Sequence, residues 1–162
     1  MSVNIQKKIL TRIGGQKCQG TLFVAGGIFI LFLGDVLQKM GKNKPLRTRW
    51  RFWIDCAWRI RKGGKIVAGC YDDIEDICTK ARGLKGAMLV DIHHKNVSHD
   101  LELFFDNGMC IELFSDSTTG SDMWEVRGTD GYRYTLDKGL KIRERMSEPD
   151  GWEYERKGID EK

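Results

Sequence analysis

His93, His94 and His99 are the chain's three histidines, and Asp91 and Asp100 flank them. Imidazole and carboxylate together are the donor set of zinc sites and of general acid–base pairs. Adjacent strand residues point to opposite faces, so His93 and His94 reach one ion only from a loop, which Lys95-Asn96-Val97-Ser98 suggests. A polar hairpin turn with exposed imidazoles explains the spacing better, and no metal site is expected. Asp72, Asp73, Glu75 and Asp76 gather four carboxylates without the spacing of a calcium loop. In a first helical turn, carboxylates answer the positive end of the helix dipole. The pairs Gly14-Gly15, Gly26-Gly27 and Gly63-Gly64 lack the strand-to-helix context of a phosphate loop and suit hairpin turns. No GxSxG, HExxH or paired CxxC motif occurs. The residues therefore point to no catalytic group, no metal and no cofactor, and a non-enzymatic protein is expected.

One series has a recognition mechanism: Arg47, Arg49, Arg51, Arg59 and Arg61, with Lys62 and Lys65. On a strand, Arg47, Arg49 and Arg51 share one face, while Trp50, Phe52, Ile54 and Cys56 take the other, which is the core face. Opposed like charges on a sheet cost a few tenths of a kcal/mol or more per pair, so something negative should lie across from them. The candidates are Glu102, Glu112 and Asp116 of the second half, the acidic tail, another subunit in a homodimer, or a separate macromolecule. The expected partner-binding residues are Arg47, Arg49, Arg51, Arg59 and Arg61. Nucleic acid is the less favoured partner, because these aromatics alternate onto the core face instead of interleaving with the arginines as a stacking platform would.

The whole chain, 162 residues with 41% hydrophobic and 31% charged, has enough apolar content for one core and excludes a disordered protein. Its net charge of +4 hides a division. Residues 1–70 carry fourteen Lys/Arg against Asp35 and Asp55, a net +12, and residues 71–162 carry thirteen basic and twenty-one acidic residues, a net −8. Such polarity fits a charged binding face or two halves that attract one another. Five cysteines, an odd number with irregular spacing, suit reduced thiols in a cytoplasm. Cys56 and Cys110 lie in apolar strand patterns, where a thiol packs as a small hydrophobe. The oily run Leu22 to Leu33 is about a dozen residues, short of the roughly 18 to 20 a membrane helix needs, and Gly26-Gly27 divides it into a hairpin. No membrane partner is expected.

Strand signals dominate the elements that must position these groups. Trp58 to Arg61 and Lys65 to Ala68 flank the Gly63-Gly64 turn. One helix is expected over 72–83, capped by Asp72 or Asp73, with Ile74, Ile77, Cys78 and Ala81 as its apolar stripe. Five short strands follow, through Met88–Ile92, Leu101–Phe105, Cys110–Phe114, Trp124–Arg127 and Tyr132–Leu136, and a charged tail occupies 141–162. The order of apolar strand, second strand, Trp strand, Gly turn and last strand recurs, which predicts internal repeats over 10–70 and 84–140 within a single domain, 1–162. The fold class expected is mainly β (α+β): two tandem-related antiparallel meanders around one core, sandwich or barrel-like, with one short helix between them.

Trp50 to Tyr71, WRFWIDCAWRIRKGGKIVAGCY, followed by Asp72-Asp73, resembles a widespread bacterial family of small proteins of unknown function. Its members share a strand running into a Cys/Ala-Trp-Arg-Ile step, a Gly turn, an Ile-rich strand and a Gly/Asp segment. Ile28 to Gly34 (IFILFLG) and Leu101 to Ser117 (LELFFDNGMCIELFSDS) are similar to that family's apolar strands, so the likeness covers roughly residues 10 to 140. Similar proteins are often encoded beside polymorphic toxins. The resemblance implies an immunity protein that binds and blocks a cognate toxin, and it carries over no catalytic residue. The basic first half then requires a toxin that presents an acidic face, or one that meets the acidic second half.

Overall fold

The oily run forms a hairpin: β1 (Cys18–Val24) pairs antiparallel with β2 (Ile28–Gln38), from Val24 opposite Ile28 to Cys18 opposite Leu33. Gly27 turns the chain at φ +87°, a backbone region open to glycine at no steric cost. These elements come from a computed structural model that describes residues 4–24, 27–38, 46–115, 123–136 and 141–147. Phe29, Leu31 and Leu33 point into the core. β3 (Arg47–Ile54) lies on the other side of β2 and buries Trp50, Phe52 and Ile54, as its alternation predicts. Asp55 and Cys56 then carry the chain across to a second sheet, where β4 (Ala57–Lys62) and β5 (Lys65–Gly69) fold about Gly63 and Gly64, both at positive φ.

α2 (Ile74–Lys80) and a 3-10 turn (Ala81–Leu84) replace the single helix expected over 72–83. Its stripe is narrower than the periodicity predicts. Ile77 and Ala81 are buried, whereas Ile74 and Cys78 face solvent. Asp72 accepts a hydrogen bond from the Gly69 N–H, so it braces the turn before the helix instead of capping it. Five strands follow: β6 (Leu89–His94), β7 (Leu101–Phe105), β8 (Met109–Phe114), β9 (Trp124–Gly128) and β10 (Tyr132–Leu136).

Two further elements were not anticipated. α1 (Ile5–Ile13) is capped by Asn4, whose Oδ1 accepts from the Lys7 N–H, and it buries Ile9 and Ile13. β11 (Ile142–Met146) lies in the charged tail and is edge-paired to β10. An edge strand needs to bury little, which is why so polar a segment can still be a strand.

The protein is mainly β, built as two antiparallel sheets in the orders β1-β2-β3-β9-β10-β11 and β5-β4-β8-β7-β6. Each sheet takes the first three strands of one half of the chain and the fourth and fifth of the other half. The halves meet where the residues entering β1 and β6 exchange backbone hydrogen bonds, Gly15 N to Leu89 O, Leu89 N to Gln16 O and Cys18 N to Ala87 O. Trp58 in β4 and Trp124 in β9 occupy matching places and are both buried between the sheets. No helix among the described residues is long and apolar enough to cross a membrane. Cys18, Cys56 and Cys110 are buried, and burial pushes the Cys18 and Cys110 thiols up to about 11, so they pack and do not attack.

Candidate partner-binding face

Strand alternation sends Trp58 and Ile60 inward from β4 and therefore Arg59 and Arg61 outward. Their neighbours on that outer face are Glu112 of β8 and, one strand further, Glu102 of β7 and His93 of β6. Arg59 is hydrogen-bonded to Glu112, and Arg61 lies 2.8 Å from Glu112 and 3.5 Å from Glu102. Glu112 is 7% exposed, a depth at which a carboxylate needs such partners. The outer face of the five-stranded sheet thus answers its own charge, with two acids that the sequence had offered as counter-charges. Asp116, the third, lies outside the described residues. Glu112→Gln should lower stability by about 1–3 kcal/mol, since it removes the negative charge shared by two arginines and turns one of its two oxygens into a donor facing a guanidinium. A urea midpoint unchanged from wild type would refute that role.

The other three arginines lie elsewhere. Arg47, Arg49 and Arg51 project from β3 on the outer face of the six-stranded sheet, so the two groups occupy opposite sides of the sandwich. Register extends the second group sideways. Arg51 is the Cα partner of Arg127 in β9, Arg127 of Arg133 in β10, and Arg133 of Arg145 in β11. Four arginines therefore cross four adjacent strands in one row, at about 4.8 Å per strand. Arg143 stands in the next row beside Thr135 and Glu125, and Glu125 lies 3.5 Å from Arg133. Arg127, Arg133 and Arg145 escaped the sequence reading because their adjacency to Arg51 exists only in the fold.

Aromatic surface shares this face. Trp53 follows Arg51 at i+2, pairs with Ile30 and Glu125, and is 38% exposed. Phe32 pairs directly with Arg51 but is buried, at 4% exposure. The expectation that the aromatics all turn to the core therefore needs correction: Trp50 and Phe52 do, but Trp53 and Phe32 belong to the arginine side.

The histidines divide as strand geometry requires. β6 extends through His94, so His93 and His94 point to opposite faces and do not share a loop. His93 stands 3.1 Å from Asp91 and 3.6 Å from Glu102 on the outer face. His94 turns inward, and its Nε2 is 3.0 Å from His99 Nδ1. Among the described residues no group of three or more His, Cys, Asp or Glu is arranged to hold a metal. No family model, curated protein or solved structure matches this chain.

Proposed function

We propose that this chain is a non-enzymatic binding protein of the immunity type, which covers the active site of a toxin with the outer face of its six-stranded sheet. The observation that carries this reading is the row Arg51–Arg127–Arg133–Arg145 beside the exposed Trp53. The row gathers positive charge on one face, with Glu125 beside Arg133, and a face of that sign attracts an acidic partner. Arginine and tryptophan are also the residue types that most often dominate binding energy at protein interfaces. The six strands span about 24 Å, enough breadth for a footprint of standard size. The five free cysteines fit work in a reducing compartment.

Nucleic acid is the second reading, and one observation favours it: the exposed Trp53 stands among arginines on one sheet face, as in single-strand binding platforms. The test separates the two. Co-expression with the product of a neighbouring toxin-type gene should restore growth and yield a complex on purification. Filter binding to single-stranded RNA or DNA should stay weak at every salt concentration. A steep negative salt slope there, without toxin rescue, would move the assignment to nucleic acid.

A further inference from the structure

Two clefts occupy equivalent places in the two halves of the fold. In each, a helix, the turn between the first two strands of one half and the segment after the last strand of that same half come together. The first, beneath α2, is lined mainly by Phe23, Val24, Ile28, Trp58 and Ile77, with Asp72 as its one charged residue, and measures about 150 Å³. The second, beneath α1, is lined by Lys8, His94, Asn96, His99 and Glu144 between Ile5 and Ile142 and measures about 430 Å³. The first cleft shows that a mostly apolar lining without histidine or lysine satisfies the fold at this place. The polar lining and greater size of the second are therefore not demanded by folding.

A second observation points the same way. His99 is the one non-glycine at positive φ among the described residues, at +61°. Such a backbone costs roughly 1 kcal/mol or more for a residue with this side chain and tends to persist where it serves a site. It is held there by its N–H donating to Lys95 O at 2.7 Å and its carbonyl accepting from Ser115 Oγ. The result is a ring stacked on His94 at 5.2 Å between centroids, with the facing nitrogens 3.0 Å apart.

We propose that this cleft binds a small oxyanion, a phosphate or carboxylate group, between the His94–His99 pair and Lys8 when the pair is protonated. The charges facing the pair decide the class of ligand. From α1, Lys8 Nζ meets Glu144 Oε2 of β11 at 2.5 Å, and the Tyr134 hydroxyl of β10 is 3.4 Å from the same carboxylate. Gln6 of α1 accepts from the His94 N–H, and Asn96 supplies an amide at the rim. Asp100, in the turn after His99, is already engaged by the Ser115 N–H. With Lys8 and Glu144 balancing one another, a neutral pair leaves the cleft without net charge, and one proton makes it cationic. Burial, and then His99, hold the His94 imidazolium below the usual histidine range. This site faces away from the arginine row and is independent of the partner proposed above.

The test is an NMR titration of the imidazoles in the full chain, in sodium phosphate, acetate and chloride at equal ionic strength. Phosphate should raise the apparent pKa of the pair by about half a unit or more over chloride, because a ligand that prefers the protonated form stabilises it. An equal rise in acetate assigns oxyanions in general, and a rise in phosphate alone assigns phosphate groups. The effect should vanish in Lys8→Met and in His99→Asn, whose side chain tolerates the left-handed backbone. Identical curves in all three salts, or a phosphate shift that survives His99→Asn at His94, would overturn the proposal.

Discussion

Trp124→Ala should cost about 3–5 kcal/mol, most or all of the stability of an ordinary domain, and leave a largely unfolded chain. Trp124 is fully buried, sits opposite Ile54 and Leu136 across its two neighbouring strands, and lies 6.0 Å from the Phe52 ring. No small relaxation fills that volume, since β3 and β10 are pinned on either side of it. The more telling variant is Trp124→Phe. The indole N–H of Trp124 finds no acceptor among the described residues, so phenylalanine removes an unsatisfied donor along with part of the ring. Its counterpart Trp58 donates to Gly27 O at 2.9 Å, so Trp58→Phe strands a carbonyl at the β1–β2 turn. Urea denaturation should therefore rank Trp124→Ala as by far the worst, with Trp58→Phe about 1 kcal/mol or more below Trp124→Phe. Equal losses for the two phenylalanine variants would show that the indole hydrogen bond plays no part in joining the sheets.

What the sequence disclosed follows the range of each physical signal. Alternation over Arg47 to Cys56 and the Gly63-Gly64 turn are local, and they predicted the core face of β3 and the β4–β5 hairpin correctly. Trp53 was also legible, because parity places it with Arg51 on the face opposite Trp50 and Phe52. α1 carried a signal too: Asn4 as cap and Ile5, Ile9 and Ile13 one turn apart, set among lysines that kept the segment polar on average. The exchange of strands between sheets left no local mark. It places Arg127, Arg133 and Arg145, from a half whose net charge is negative, beside the basic half's Arg51. Summing charge along the chain therefore misjudged where the positive face is and how large it is. The same exchange put Arg59 and Arg61 on the opposite sheet, against Glu112.

That division makes the function testable by position. Arg51→Glu with Arg127→Glu replaces two adjacent cations in the row by anions, shifting the face by four charges without touching a core residue. Association with an acidic partner is steered by the summed field, so the on-rate at low salt should fall by about 10- to 100-fold. Raising the salt should then narrow the gap, because screening acts on the wild-type attraction and on the variant's repulsion alike. Between β3 and β9 the double variant keeps a like-charged pair of reversed sign, and between β9 and β10 it sets an anion opposite Arg133, so the fold should be retained in a thermal melt. The matched control is Arg59→Gln on the far sheet, which should leave the on-rate within about twofold. Stopped-flow mixing with the co-purified toxin across a salt series reads all of this at once. A double variant that associates as fast as wild type, or a control that slows as much, would move the binding face off the six-stranded sheet and leave the arginine row without a role in recognition.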